Sequence, residues 1–259
     1  MKKTFAISSA ICALCWGLAL SVAQNPQDEY AELMKILKEP SIDMRLKSGE
    51  EFLQKFPKSE YVPNVRSQLV YDYNQKGNTT KVIEHGETAT GEDGVLLTFL
   101  ANAYSDKKND GKTVETGQKA VEVLNKAAKP ANVTDAQWAP QKNTMLSVNQ
   151  YLIGAAFANQ AQRKTGDEKA SLLAASRQAL MAALKLNPRY DVAYYQLGLT
   201  LSDMGEGVDA CEALAKAVVI GGPTVKPFAQ RDLDRIYLYY NKSRVGLDNL
   251  LAKVKASMK

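Results

Sequence analysis

The side chains that could do chemistry in this sequence are few and poorly partnered. The chain has 259 residues and a single histidine, His85, which lies beside Glu84 with no nucleophile near it in the sequence. One histidine excludes clusters of histidine metal ligands and leaves little room for Ser-His or Cys-His catalysis. We therefore predict that His85 is a surface residue, and we assign no catalytic residue.

One acidic segment partly matches a calcium-binding loop. Asp106, Asp110 and Gly111 have the right residue types. Lys108 occupies a ligand position, however, and Gly117 stands where the bidentate glutamate belongs. The segment is predicted to be a solvated insert, and we assign no metal and no cofactor.

A carboxylate pair and Cys211 complete the reactive groups, since the other two of the three cysteines, Cys12 and Cys15, lie within the first 23 residues. Glu92 and Asp93 could serve an enzyme, or an enzyme subunit, that acts on cell-wall glycan, but they lie in a glycine-flanked turn rather than across a cleft. Cys211 adjoins a predicted packing residue, Ala210, and is expected to be a buried thiol. Catalysis is therefore the alternative hypothesis, not the favoured one.

The first 23 residues have the features of a secretory signal peptide. Lys2 and Lys3 precede an apolar run over 5–20, and the small residues at 21–23 suit cleavage before Gln24. The run is short for a membrane span, although an uncleaved anchor is the alternative. We predict a periplasmic or secreted bacterial protein with no stable membrane span after cleavage.

Composition bounds the remaining function classes. The formal net charge is +5, with 33 basic and 28 acidic residues mixed along the chain. No long basic block marks a nucleic-acid surface, so we predict no nucleic-acid partner. A hydrophobic content of 45% is enough for a packed core.

The elements that must position any site are helices. Apolar residues recur at intervals of three and four, which is typical of amphipathic helices, and no segment alternates as a strand does. These stripes cover residues 30–38, 42–56, 62–75, 95–104, 114–128, 146–160, 172–186, 190–204 and 208–220. Glycines and prolines, Pro140 among them, mostly punctuate the stripes. The predicted fold class is all-α.

The helices carry an internal repeat. One helix of each pair has a large residue, a small neighbour and a second large residue three positions later: Leu69-Val70 with Tyr73, Leu100-Ala101 with Tyr104, Ile153-Gly154 with Phe157, and Leu197-Gly198 with Leu201. The second helix has small and large residues in the order Ala120, Leu124, Ala127; Ser176, Leu180, Ala183; and Ala210, Leu214, Ala217. Small residues let two helices approach closely, so we predict stacked helix pairs.

These motifs resemble the tetratricopeptide repeat family, in the form found in bacterial envelopes. The best copy covers residues 191–223, where Tyr194, Leu197, Gly198, Gly205, Ala210, Leu214 and Ala217 match the family pattern. The resemblance implies an α-solenoid of about four repeats over 58–223, with inserts near 106–117 and 161–170 between the helices of a pair. Residues 24–57 and 224–259 are predicted to form capping helices.

By this resemblance the first helix of each pair lines the concave face. Polar residues one turn apart on these helices form the inner wall: Asn64, Ser67, Tyr71, Asn74, Thr98, Asn102, Tyr151, Asn159, Tyr195, Ser202 and Asp203. Amides suit the backbone of an extended peptide, and tyrosines supply rigid contact area. The predicted wall contains no lysine or arginine, which argues against capture of a C-terminal carboxylate.

The favoured function is therefore a non-enzymatic scaffold that binds a protein or an extended peptide on its concave face. The resemblance implies a role in envelope assembly. Besides the enzyme considered above, a self-associating structural stalk is the other alternative.

Overall fold

The computed structural model describes residues 26–89, 93–130 and 133–258, and the leader predicted for residues 1–23 lies outside them. These ranges contain twelve α-helices and no strand, so the all-α prediction is confirmed. The helices are α1 (Pro26–Lys38), α2 (Ile42–Lys55), α3 (Val62–Gln75), α4 (Thr79–Gly86), α5 (Gly94–Asp106), α6 (Asp110–Lys126), α7 (Asp135–Ala161), α8 (Gly166–Leu186), α9 (Asp191–Asp203), α10 (Gly207–Ile220), α11 (Lys226–Asn241) and α12 (Leu247–Ser257).

Short polar caps separate the helices. Asn78, Asp93 and Asn109 each precede a helix, and their side chains accept hydrogen bonds from backbone N–H groups of its first turn. These bonds satisfy donors that a helix start leaves unpaired. Gly77 and Gly205 end tight turns with φ of +68° and +82°, a region that side chains with a Cβ disfavour.

The helices stack along the chain instead of gathering around one centre. Each packs mainly against its neighbours in sequence, and no extensive contact joins helices more than two positions apart within the described chain. The buried apolar residues accordingly form separate clusters, such as one around Leu69 and another around Leu214. The predicted α-solenoid is confirmed. Helices α1–α2 and α11–α12 occupy its two ends, while the proposed division into caps and repeats stays a prediction.

Close approach within a pair depends on glycine. A Cβ added at Gly198 on α9 would lie 2.5 Å from Cγ of Leu214 on α10, and one at Gly154 on α7 would lie 2.7 Å from Cγ of Leu180 on α8. Both leucines are completely buried. Since real Cβ atoms do not approach other carbons this closely, the two helices can pack at this distance only because these positions lack a side chain.

Two features differ from the sequence-based expectation. Only residues 107–109 separate α5 from α6, and only 162–165 separate α7 from α8, so the predicted inserts are not loops. The additional residues instead lengthen the second helices, α6 to 17 and α8 to 21 residues. Pro140 lies inside α7, not between helices. It is tolerated because the only hydrogen bond that it removes is the one to the carbonyl of Ala136, an exposed residue near the helix start.

The array bends because its two layers of helices pack differently. The first helices of successive pairs touch, with contacts from α1 to α3, α3 to α5, α5 to α7 and α7 to α9. Among the described helices, no comparable contact joins α2 to α4, α4 to α6, α6 to α8 or α8 to α10. An array whose members are closer on one side curves toward that side, so the first helices line the inner face. At the C-terminal end the pattern reverses, since α12 contacts α10.

Candidate functional site

The inner wall is built by α3, α5, α7 and α9, and its residues differ in their access to solvent. Thr98 is buried, with 7% of its surface exposed, and does not face the solvent. The exposed members are Asn64, Asn102, Asn159 and Asp203, and the half-buried ones are Ser67, Tyr71, Asn74, Tyr151, Tyr195 and Ser202. The exposed members are available to a partner, and several of the half-buried ones connect neighbouring repeats.

Two wall tyrosines hold the next helix pair in place. The hydroxyl of Tyr71 donates to Asp93, the residue that caps α5, at 3.1 Å, and that of Tyr195 donates to Asp232 on α11 at 2.7 Å. Burial and the neighbouring Asp93 raise the pKa of Tyr71, and burial with the Asp232 hydrogen bond raises the pKa of Tyr195 to about 12. Both hydroxyls therefore stay protonated and act as donors. The two tyrosine rings contribute contact area, whereas their hydroxyl groups are already bonded to Asp93 and Asp232.

Thr98 supports the wall from behind. Its hydroxyl donates to the Gly94 carbonyl at 2.7 Å and accepts from the side-chain amide of Asn149 on α7, also at 2.7 Å. Asn149 is fully buried, and its amide oxygen has no hydrogen-bond partner within the described chain. This contact links α5 to α7, so Thr98 stabilises the array and does not itself contact a ligand.

Asn159 belongs to a polar cluster at the C-terminal end of α7. Its amide nitrogen donates to Asp110, the first residue of α6, at 3.1 Å, and Arg163 donates to the other oxygen of the same carboxylate. Asp110 is buried. The acidic segment that partly matched a calcium loop is therefore used in a contact between α6 and α7. Asn159 keeps its exposed carbonyl oxygen for a partner.

Three wall asparagines have free amides. The side chains of Asn64, Asn74 and Asn102 make no hydrogen bond to the rest of the described chain. Helices α3 and α5 bring Asn74 and Asn102 together at the edge of a small depression of about 110 Å³, which Asp106 also borders. Each amide offers two donors and an acceptor, which match the alternating groups of a peptide backbone. Thr79 and Val82 of α4 line the same depression, so the two amides lie close to the turn between α3 and α4.

Basic residues on α11, which the sequence-based prediction missed, lie beside the wall residue Tyr195 through its hydrogen bond to Asp232. Arg231 and Arg235 flank the buried Asp232, and the guanidinium of Arg231 also lies 5.5 Å from the ring centre of Phe228. Burial by itself would raise the pKa of Asp232, but the hydrogen bonds from Arg231 and Tyr195 outweigh it, so the pKa is lowered. The two cations therefore share one carboxylate. Arg231 and Arg235 could have been found by aligning the buried apolar residues of α11, which are Ala229, Leu233 and Ile236, with the equivalent positions of α9.

His85 is buried, with 1% of its surface exposed, so the prediction of a surface residue is wrong. Its Nε2 lies 3.1 Å from a carboxylate oxygen of Glu50 on α2, and its Nδ1 lies 3.3 Å from the guanidinium of Arg66 on α3. Arginine can only donate, so Nδ1 accepts and Nε2 carries the proton. Burial lowers the pKa of His85. The partners are 35 and 19 residues away, so no local pattern indicated the contact.

Candidate catalytic groups are occupied by structural contacts. Asp93 accepts hydrogen bonds from the backbone of Val95 and Leu96 at 2.8 and 3.2 Å, in addition to the Tyr71 hydroxyl, while Glu92 lies outside the described residues. Cys211 is a buried free thiol, as predicted. The described ranges hold no group of three or more His, Cys, Asp or Glu side chains arranged to ligate a metal ion. No helix within them combines the length and apolar character that a membrane crossing requires.

Solved structures with the same helical architecture exist despite low sequence identity. A double mutant of MamA RS-1 superimposes with a TM-score of 0.51 at 12% identity, over 81% of this chain and 96% of that one. The RpL4 assembly chaperone Acl4 gives 0.53 at 12% identity, over 91% and 97%. The fold is a tetratricopeptide-repeat solenoid. The resemblance predicted from the sequence is thus confirmed at the level of the fold.

Other comparisons show how far this likeness extends. A monomeric mutant of IFIT1 bound to Gppp-AAAA matches the tetratricopeptide-repeat array with a TM-score of 0.51 at 15% identity. The match covers 87% of this chain but only 48% of the IFIT1 chain. No protein-family profile matches the sequence, and no curated protein matches it either. At these identities the likeness describes the fold alone.

Proposed function

We propose that this protein is a non-enzymatic scaffold that binds a protein or an extended peptide segment on its concave face. The observation that carries the proposal is the continuous inner wall with its unpaired amides at Asn64, Asn74 and Asn102. A surface that is already formed loses little conformational entropy when a partner binds. An extended segment gains most from such a surface, since its backbone groups can pair with side-chain amides.

The structural roles of the wall tyrosines support this proposal. Tyr71 and Tyr195 are held by Asp93 and Asp232, so their rings are already ordered before a partner arrives. Rigid aromatic contact area beside free amides is typical of protein interaction surfaces. The carboxylate of Asp93, considered above for catalysis on glycan, is bonded to three groups of the chain, which favours binding over chemistry.

Secretion to the periplasm or beyond is part of the proposal and rests on the sequence of the leader. Cell fractionation with N-terminal sequencing of the mature protein tests it. We expect the protein in the periplasmic or secreted fraction with a first residue of Gln24. A chain that begins at Met1 and stays in the cytoplasm would refute the export proposal without affecting the proposed binding face.

Site-specific photocrosslinking in cells tests the binding face. A photoreactive amino acid placed at Asn74 or Asn102 should crosslink to a partner that mass spectrometry can identify. The matched control is Asn125, which is exposed like Asn102 but lies on α6, a helix of the outer layer. Crosslinks at Asn125 but not at the wall positions would show that partners bind elsewhere.

Point variants give a second measurement of the same proposal. Asn74→Ala together with Asn102→Ala should weaken capture of the crosslinked partner at least about tenfold, because the partner loses its hydrogen bonds to two amides. Asn125→Ala should leave capture unchanged. Circular dichroism should show the same helicity for all variants, since none of the three amides bonds to the chain.

A further inference from the structure

The outer face of the array has a feature that the inner wall does not explain. The backbones of the second helices α4, α6, α8 and α10 lie apart, and side chains such as Glu87 and Lys112 reach across between them. Each neighbouring pair therefore leaves a depression whose floor is the first helix between them. Three such depressions occur in the described chain, over α5, α7 and α9. The three depressions occupy equivalent places in successive repeats, so the side chains that line them can be compared directly.

The depression over α7 differs from the other two in charge. Four charged side chains border the one over α5 (Glu87, Lys112, Glu115 and Lys119) and four border the one over α9 (Arg177, Asp209, Glu212 and Lys216). The depression over α7, called the outer groove below, has a volume of about 440 Å³ and no charged lining residue. Its lining consists of Gln118, Val121, Gln150, Ile153, Phe157, Ala175, Gln178, Ala179 and Ala182.

The outer groove combines an apolar floor with glutamine amides at its edges that are not bonded to the chain. Ile153 and Phe157 on α7 form the floor, and Phe157 is only partly covered. Gln118, Gln150 and Gln178 make no hydrogen bond to other described residues, although all three border the same apolar surface. An apolar floor with a rim of uncharged hydrogen-bonding groups is typical of a recognition groove.

We propose that the outer groove binds an amphipathic α-helix of a partner protein through an uncharged apolar stripe. The groove runs along α8 from Ala175 to Ala182, a length of about 10 Å at a rise of 1.5 Å per residue. This length equals the distance from residue i to i+7 of a bound helix, so three anchors at i, i+4 and i+7 fill it.

The charge pattern decides which helices fit. A charged side chain placed on the floor would lose hydration, and no lining residue carries an opposite charge that would compensate for the loss. The two neighbouring depressions have both positive and negative lining residues, so they would not reject a helix with charged side chains on its contacting face. The partner helix must therefore present leucine-like side chains flanked by alanine, serine or glutamine. This second surface goes beyond the proposed concave function and does not depend on it.

Selection from a display library of 16-residue helical peptides against the full chain tests the proposal. We expect the enriched peptides to carry apolar residues at i, i+4 and i+7 with no charge between them on that face. Gln178→Glu changes charge and keeps size at an exposed position, and Ala175→Glu places a carboxylate at the groove edge. Each should weaken binding of the enriched peptides at least about tenfold. Ala174→Glu, one residue away and outside the groove, should leave affinity unchanged.

Several results would overturn the proposal. They are a library without enrichment, enriched peptides that bind both glutamate variants as tightly as the wild type, and equal losses with Ala174→Glu. Two further measurements exclude other occupants of the outer groove. Concentration-dependent self-association that Gln178→Glu abolishes would assign the groove to a second copy of this chain. Binding to phosphatidylcholine vesicles that the same variant abolishes would assign it to lipid. Loss of the inner-wall crosslinks alone would leave this result unaffected.

Discussion

Adding a single methyl group at Gly198 tests the packing on which the array depends. In Gly198→Ala the new Cβ would lie 2.5 Å from Cγ and 2.9 Å from Cδ2 of Leu214, and 3.2 Å from the Ala210 carbonyl oxygen. Leu214 is completely buried and cannot move aside without displacing its neighbours. Overpacking of this kind costs about 1–3 kcal/mol, whereas alanine gains about 1 kcal/mol over glycine inside a helix. We expect a net loss of up to about 2 kcal/mol.

Gly111→Ala provides the matched control. Its Cβ would meet nothing closer than the Asn109 side-chain oxygen at 4.0 Å, so only the helix preference of alanine acts. Urea unfolding followed by circular dichroism should place Gly198→Ala about 1–3 kcal/mol below Gly111→Ala in the free energy of unfolding. Thermal unfolding should separate them by about 2–4 °C per kcal/mol.

A double-mutant cycle shows whether the loss comes from the contact with Leu214. Leu214→Ala alone should cost about 2–5 kcal/mol because it opens a cavity. The added methyl at Gly198 partly fills that cavity, so the double variant should be more stable than the sum of the two losses by about 0.5–3 kcal/mol. If Gly198→Ala is as stable as Gly111→Ala, or if the two losses add, the close contact between α9 and α10 is refuted.

Three further predictions concern buried polar groups and the cysteine. Burial lowers the pKa of His85, so the unfolded chain binds its proton more readily, and stability present above about pH 6.5 should fall as the pH drops below it. The urea midpoint should therefore fall more between pH 7.5 and 5.5 for the wild type than for His85→Gln. Asp72→Ala should lower the free energy of unfolding by about 3–5 kcal/mol, because it leaves Arg45, which bonds both Asp72 oxygens at 2.6 and 2.9 Å, without its buried partner. Burial also raises the pKa of the Cys211 thiol, so a maleimide should label the Cys211 peptide, as read by mass spectrometry, only in denaturant.

Each of these predictions has a specific contrary result. Equal midpoint changes in wild type and His85→Gln would show that His85 keeps its ordinary pKa. A loss below about 1 kcal/mol for Asp72→Ala, which is typical of an exposed ion pair, would show that the pair is open to solvent. Rapid labelling of Cys211 in the native protein would contradict the burial of this α10 residue.

The fold class and most helix positions could be predicted from local sequence. The stripe predicted over 62–75 coincides with α3, because Pro63 suits a helix start and Gly77 permits the turn after its end. The small residue at Gly198 also identified the helix contact correctly, since close approach requires it. These properties depend on residues within one or two helices, and so their signals are periodic and short in range.

The candidate site was less predictable. The inner-wall positions follow from helical spacing, but spacing could not show that Tyr195 bonds Asp232 or that Thr98 is buried against Asn149. Those contacts depend on how one pair is rotated against the next. Arg231 was missed for the same reason, because only the packing of α11 after α10 brings it and Asp232 close to Tyr195.

The amino-acid sequence by itself determined that the chain forms helices, that these pair through glycine and alanine, and that histidine-based chemistry has little place in it. Only the tertiary structure decided which polar residues are buried, where the array bends and which of its outer depressions lacks charge. Helix formation and pairing are governed by neighbours within a few turns. Curvature and burial result from contacts between residues far apart in the chain, such as Arg45 with Asp72, 27 positions apart, and Thr98 with Asn149, 51 positions apart. Nothing in the local pattern marks these residues as partners.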